Sequence, residues 1–485
     1  MNSTNSKRIE EFNEITIYKL FGHEAAEDEN PVRLKEYYFK NETYQQITAN
    51  LPLRILVGHK GIGKSALIKV AIQEDKESNR ISVLVKPDDI VGLGATPDDF
   101  LKVIRDWKEG LSEIITRKIL QSTGTYNANF TQRLKEYGGM IVDFLSDTFS
   151  SKLEDIDLNP TKKLLLNTYL KNNIINIYID DLDRGWQGRK EDISRISALL
   201  NAVRDLSTEN SGLCFKISLR ADVYYLVRTS DESTDKIEGS VIWQVWDNHE
   251  ILVMLVKRIE TYFGNEIKNI DRNQAELSKL LEPILHPFFK GEGHWKNAPT
   301  YKVIMSLIRK RPRDIIKLCT LAARAAKKDN KNRINTHHLE SVFQEYSQGR
   351  LQDTINEYRS EVPDIERLLI NMKPSKKEKL AKLAYVYSTD ELLRKIRNIQ
   401  QSGAFNLANG REATTKEIAA FLYKINFLTA RKVLEDGKID RKYFEENRYL
   451  SNEFSEFGYH WEVHPAYRWV LQPDNNKDIY LQLQI

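Results

Sequence analysis

Cysteine is scarce in this chain: there are two, Cys214 and Cys319, far apart and each set in an apolar run. A disulfide framework is therefore excluded, and two buried free thiols in a reducing compartment are expected. No Cys/His cluster has zinc spacing. No apolar run reaches the length of a membrane span, and residues 1–15 are polar and acid-rich rather than a secretory leader. The expectation is a soluble cytoplasmic protein with no membrane partner. An excess of one charge is also missing: 73 basic residues face 69 acidic ones, a net of +4. That balance gives no footprint for nucleic acid by itself. There is no N-K-x-D guanine motif, no LSGGQ-like signature, and no nuclease, protease or deaminase constellation. No internal repeat or low-complexity tract occurs.

What is present is concentrated in residues 51–66, LPLRILVGHKGIGKSA. An apolar run, Leu51 to Val57, reads as a buried parallel strand, and Ala66 to Ile72 as the helix after it. Between them stands G-x-x-x-x-G-K-S, the phosphate-binding loop. Gly58, Gly61 and Gly63 let the backbone curl so that its N–H groups, through His59, Lys60, Ile62 and on to Ala66, face phosphate oxygens. The helix start adds a positive dipole end. Lys64 would reach the β- and γ-phosphates, and the Ser65 hydroxyl would ligate Mg²⁺.

The second informative stretch is Ile174 to Arg184. Its β-branched run predicts a buried strand that delivers acids to the C-terminal edge of the sheet, where ligands sit in open α/β folds. Asp180 is placed to hold Mg²⁺ through water. Asp181 or Asp183 would position or deprotonate an attacking water. Leu213 to Leu219 reads as a further strand, which brings Ser218 and Arg220 to the same edge as γ-phosphate sensors. Ile81 to Val85 is another strand.

The 485 residues allow two or three domains. Residues 1–50 would flank the nucleotide site: a loose tail over 1–11, a strand-like piece after Asn13, then a helix from Arg33 to Thr48. Tyr18, Leu20 and Phe21 are the candidate adenine contacts. Residues 51–225 would form an α/β core with a helical insertion over about 96–171, opened by Thr96-Pro97-Asp98-Asp99. Asp192 to Leu206 reads as an amphipathic helix. A helical lid is expected over 226–350. In it, Trp246 to Phe263, Lys302 to Ile308, Asp314 to Ala326 and Thr336 to about Gly349 read as helices. Arg313, beside Pro312 at a helix start, would reach the phosphates, with Arg311 as a second candidate. A charged helical connector, 351–410, would lead to a winged-helix-like module over 411–485. There one helix is expected over Lys416–Leu434, ending in Thr429-Ala430-Arg431-Lys432, with Tyr459–Val463 as a strand. Those cations could face DNA, or the module could serve protein contacts.

These pieces resemble the AAA+ and STAND-type P-loop ATPases, and among them the prokaryotic KAP-like ATPases of conflict systems. The likeness lies in FGHEAAEDE, GHKGIGKS, YIDDLDR, ISLRAD, WDNHEILVMLVKRI, RKRPRDIIK and WEVHPAYRWVL, between Phe21 and Leu471. It implies ATP and Mg²⁺, hydrolysis, a homo-oligomer built around the nucleotide, and service in anti-phage defence beside a separate effector such as a nuclease. By motif, Lys64 and Ser65 match the Walker A pair, Asp180 the metal-binding Walker B acid and Asp181 its catalytic neighbour. Arg220 matches a strand sensor and Arg313 the lid arginine. The usual Walker B glutamate is an aspartate here, so Asp181 and Asp183 compete for the base. A trans-acting arginine is implied as well, with Arg184, Arg189 and Arg195 as candidates. An initiator-like DNA-binding ATPase is the alternative function.

Overall fold

A computed structural model describes residues 9–94, 99–122, 174–210, 212–230, 232–265, 272–380, 384–435, 439–448, 450, 458–473 and 479–480. Its centre is a sheet of five strands: β1 (Leu53–Gly58), β2 (Ser82–Val85), β3 (Ile175–Ile179), β4 (Leu213–Arg220) and β5 (Val241–Trp243). They lie in the order β2-β3-β4-β1-β5, and all pairs are parallel. Parallel strands need crossovers and therefore covered faces, which is why β3 is buried along its whole length.

Alternate side chains go to opposite faces. On one face Ile55, Val57, Ile177 and Phe215 meet Trp107 of α5 (Phe100–Ser122) and Leu199 of α6 (Lys190–Glu209). On the other, Leu56 and Tyr178 meet Leu67 and Val70 of α4 (Lys64–Glu77), and Leu34 of α2 (Pro31–Tyr37) and Ile47 of α3 (Glu42–Thr48) pack there too. The expected insertion begins with α5, which lies on the sheet. Its opening at 95–98 and its continuation through 123–173 fall outside the described residues.

The register decides the site. Gly58 pairs with Arg220, Leu56 with Ser218 and Ile217 with Ile179. The phosphate loop, the basic-tipped strand and the acids after Ile179 thus leave the sheet at one edge.

The N-terminal segment departs from the expectation. The piece read as strand-like is helix α1 (Glu14–Phe21), capped by Asn13, whose side chain accepts the Thr16 N–H at 2.8 Å. Its buried residues, Ile17, Leu20 and Phe21, follow helical spacing. The single helix expected over Arg33–Thr48 is two, because the chain turns extended at Tyr38 and Asn41 caps a new start.

Beyond the sheet, α7 (Ala221–Ser230) is followed by the helical layer expected as a lid. It contains α8 (Asn248–Tyr262), α9 (Gln274–Lys279), the antiparallel pair β6 (Phe288–Lys290) and β7 (Lys296–Pro299), α10 (Thr300–Leu307), α11 (Pro312–Lys328), α12 (Thr336–Glu340) and α13 (Phe343–Tyr358). Helix α8 starts on a capping box of Asp247 and Glu250, and α11 has Pro312 in its first turn. One apolar cluster joins this layer to α1 and to Trp469 and Tyr480 near the C-terminus. Cys319 is buried in it and Cys214 is buried on β4, both as free thiols.

Next come α14 (Ile365–Asn371) and α15 (Lys376–Leu380). The C-terminal module contains α16 (Thr389–Gln400), α17 (Thr415–Lys424) and an antiparallel sheet. Its strands are β8 (Val386–Tyr387), β9 (Leu428–Val433), β10 (Ile439–Lys442) and β11 (His460–Val463), in the order β10-β9-β11-β8. The helix expected over Lys416–Leu434 is corrected here. Asn426 has φ 56°, a left-handed conformation that ends the helix, and Thr429 to Lys432 run on β9 instead. The segment over Ala466–Leu471 is a helical turn and α18 (Arg468–Leu471). No helix of the described residues is long and apolar enough to cross a membrane.

Candidate nucleotide site

At the C-terminal edge of the sheet lies a cleft of about 350 Å³, lined by the phosphate loop, the acids after β3, the end of β4 and the start of α11. That size is in the range of small-molecule sites. The loop closes it tightly. Gly61 has φ 80°, and a Cβ there would stand 3.1 Å from Cβ of Arg313. Gly63 has φ 103° and caps α4 in the left-handed region, so both positions need glycine. The Arg313 backbone N–H donates to the Gly61 carbonyl at 3.3 Å, which holds the start of α11 on the loop.

Lys64, Ser65, Asp180, Asp181, Asp183 and Arg220 line this cleft together with Arg313. The Lys64 ammonium donates to the carbonyls of Gly58 (2.8 Å) and His59 (3.1 Å). Burial lowers its pKa, while Asp183, Glu357 and Asp180 pull the other way. The Ser218 hydroxyl donates to Asp180 Oδ1. Asp181 sits at φ 62° and pairs with Arg184 at 2.7 Å. Burial raises the Asp181 pKa and the neighbouring Asp183 charge adds to it, against the pull of Arg184. Asp183 meets Arg220 Nη1 at 3.1 Å. Arg220 is also held by Asp222 and donates to the Glu357 carbonyl at 3.0 Å. Burial would favour its neutral form, but the bonds and charges of Asp222 and Asp183 outweigh that and raise its pKa.

Other expected positions sit elsewhere. Leu20 and Phe21 are core residues, and Tyr18 donates to Glu29 at 2.9 Å. None of the three lines the cleft, whereas Leu34, Tyr37 and Ile316 do. Arg311 is buried behind the loop, where it donates to the Lys60 carbonyl and to Glu357 Oε2, both at 3.1 Å. It does not line the cleft, so its expected reach to the phosphates is corrected. The Ile62 side chain is in the core, and the His59 ring points back to Tyr358, so only their backbone can serve a ligand. Of the candidate trans-acting arginines, Arg184 is at the cleft and Arg189 is exposed. Arg195 is tied to the carbonyls of Leu93 and Ile90, both at 2.9 Å, and lies over Trp107. Its bonds are internal.

Glu29, Tyr37, Arg258 and Glu357 were not foreseen. Glu29 is buried and accepts from Tyr37 at 2.8 Å, and Arg258 lies 4.2 Å over the Tyr37 ring. Glu29 and Arg258 lie within the stretches FGHEAAEDE and WDNHEILVMLVKRI, whereas Tyr37 and Glu357 lie outside the stretches that carry the resemblance; the meeting of Arg258 with Tyr37 and of Glu357 with Lys60 comes from long-range packing.

A family model described as the FunZ-associated C-terminal helical domain matches residues 250–355, the α8–α13 layer. The chain is 23% identical over 505 residues to the putative transposon gamma-delta 80.3 kDa protein of Escherichia coli (strain K12), covering 94% of this chain and 67% of that protein. It is 26% identical over 141 residues to allergen Alt a 2 of Alternaria alternata, covering 29% of this chain and 67% of the allergen. Among solved structures it is similar to the Walker-type ATPase PABY2304 of Pyrococcus abyssi, with 12% identity, a TM-score of 0.41, and 90% of this chain and 95% of that one covered. It is also similar to the ORC2 protein of Aeropyrum pernix, with 11% identity, a TM-score of 0.40 and coverage of 85% and 84%. The parallel sheet, with a P-loop motif after β1 and acids following β3, gives this chain the α/β fold of a P-loop NTPase.

Proposed function

We propose that the protein binds and hydrolyses ATP, and that this cycle switches the assembly or activation of a complex. One observation carries the reading: three stretches far apart in sequence, at Lys64-Ser65, Asp180–Asp183 and Arg313, line one cleft. The cradle fits a phosphate chain. It combines glycine backbone and a helix start with Lys64, Arg220 and Arg313. Ser65 and Asp180 offer the hard oxygens that suit Mg²⁺. When bound there, Mg²⁺ would offset charge on the β- and γ-phosphates.

The chain's own residues do the rest. Lys64 leaves its loop carbonyls and neutralises phosphate charge. Arg313 and Arg220 stabilise charge that develops on the γ-phosphate, and Ser218 holds Asp180 in place. Asp181 takes the proton of the attacking water. What supports it over Asp183 is its raised pKa and its half-exposed place, whereas Asp183 is held by Arg220. Arg184, exposed beside Asp181, is the arginine best placed to act across to a second subunit.

The resemblance to KAP-like ATPases supports a homo-oligomer that works with a separate effector in phage defence. The DNA-reading alternative has lost the feature behind it. Arg431 and Lys432 are on a strand, and Arg431 approaches the buried Glu462 at 3.9 Å. The test is Mg²⁺-dependent phosphate release from ATP by the full chain. It should vanish in Lys64→Ala and in Asp180→Asn; undiminished release in Lys64→Ala would remove the assignment.

A further inference from the structure

The phosphate loop is gripped from behind by the end of α13. Glu357 is 2% exposed, and its carboxylate accepts the Lys60 backbone N–H at 2.9 Å through Oε1 and Arg311 Nη1 at 3.1 Å through Oε2. Its own carbonyl accepts from Arg220 at 3.0 Å. One residue thereby joins the loop, the segment that opens α11 and the sensor end of β4. The next residue, Tyr358, meets His59 Nδ1 at 2.6 Å. Two positions on, the Ser360 carbonyl lies 3.5 Å from where a Cβ on Gly188 would stand, so the chain after the acidic strand also reaches this turn.

The other side of the same turn belongs to the C-terminal module. The Tyr358 ring meets Phe421 edge-on at 6.1 Å. Glu361 accepts from Lys424 at 2.7 Å, and its carbonyl accepts the Ala408 N–H at 2.9 Å. His59 completes the circuit. Its Nε2 contacts Glu445 and lies 3.4 Å from the amide of Asn426, the buried left-handed residue between α17 and β9. Asn426 in turn bonds Glu445 at 3.0 Å and accepts the Phe444 N–H at 3.2 Å.

A buried carboxylate needs cations, and Arg311 and Arg220 supply them. A purely structural ion pair has no need of a loop N–H, yet in a phosphate loop the direction of each amide sets the curvature of the cradle. We propose that Glu357 is a positioning residue for the phosphate loop. The turn 357–361, with His59, makes the loop's conformation and that of the C-terminal module interdependent. This rests on the reading of the cleft as a nucleotide site. It adds that ligand state there is felt at the α17–β9 junction, and the reverse.

The experiment is amide hydrogen exchange on the full chain, with and without ADP and Mg²⁺. Three proteins are compared: wild type, Glu357→Leu combined with Arg311→Met, and Asn426→Ala. The paired substitution removes both buried charges at once, so neither is left uncompensated. Without nucleotide, exchange over 58–65 should speed about tenfold in the paired variant and at least about threefold in Asn426→Ala, with β3 and β4 unchanged. With ADP, wild type should slow exchange over both 58–65 and 421–428. The paired variant should slow only the loop. Unaltered loop exchange in both variants would overturn the inference, as would loosening spread equally over β3 and β4. An equal response of 421–428 to ADP in wild type and the paired variant would overturn the coupling. No slowing over 58–65 with ADP in wild type would refute the nucleotide reading instead, while the nucleotide-free comparison still decides the positioning role.

Discussion

The Glu357 carboxylate accepts the backbone N–H of Lys60 at 2.9 Å, across 297 positions of sequence. The phosphate loop is thus fixed by α13, the last helix of the α8–α13 layer, as well as by its own glycines. Arg311, Arg220 and His59 surround that carboxylate, and their charges outweigh the cost of burial and hold its pKa down at about 2. It is ionised at any pH where the protein would be assayed.

Lys64 is the residue whose loss should be felt most. Lys64→Ala removes a cation that would meet the transferring phosphate, and should lower kcat for ATP by about a hundredfold or more. Steady-state phosphate release checks it. Thermal unfolding should change little, because among the described residues the ammonium donates to carbonyls of its own loop, those of Gly58 and His59.

Asp314 should matter for stability rather than turnover. It is fully buried and accepts from Arg309 Nε at 2.8 Å and from Arg350 Nη1 at 2.6 Å. Asp314→Ala leaves the buried Arg309 guanidinium without its carboxylate and leaves Arg350 paired with Asp353 at 3.0 Å, at a cost of about 3 kcal/mol or more. Glu14→Ala, which removes the exposed partner of Arg324, should cost less than about 1 kcal/mol. Urea denaturation of both variants makes the comparison.

Stability should fall as the medium is acidified below about pH 6.5. Burial pushes His59 down to about 4, with Arg311 adding to it against the pull of Glu445. Burial, with Arg309 and Arg441, pushes His464 down to about 3. Unfolded, both take protons near 6.5. Between 6.5 and those lower values the unfolded chain binds more protons, so acid favours unfolding, by up to about 1.4 kcal/mol per pH unit per histidine. The buried Glu357 and Glu462, each held at about 2, add their own loss only at lower pH. Urea midpoints at pH 7.5, 6 and 5 test this, and His59→Asn should flatten the slope. A midpoint constant over that range would contradict it.

The sheet was legible because its signals are local. A β-branched run into a glycine loop, and another into acids, are properties of neighbouring residues, and β1, β3 and β4 stand where those runs are. Helix α1 was misread because Ile15, Ile17 and Thr16 imitate a strand's alternation, while the Asn13 cap and the buried face decide for helix. The stretch after Lys424 kept a helical pattern on paper, but Asn426 turns it. Glu357 carried no signal, because its partners come from three other segments of the chain.

The measurement that bears most directly on the ATP switch is ATP hydrolysis read together with native mass, for wild type and Asp181→Asn, with and without ATP. The account predicts hydrolysis by wild type, an assembly that grows with ATP, and a variant that binds ATP, stays assembled and releases no phosphate. No hydrolysis by wild type and one unchanging mass in every condition would contradict it.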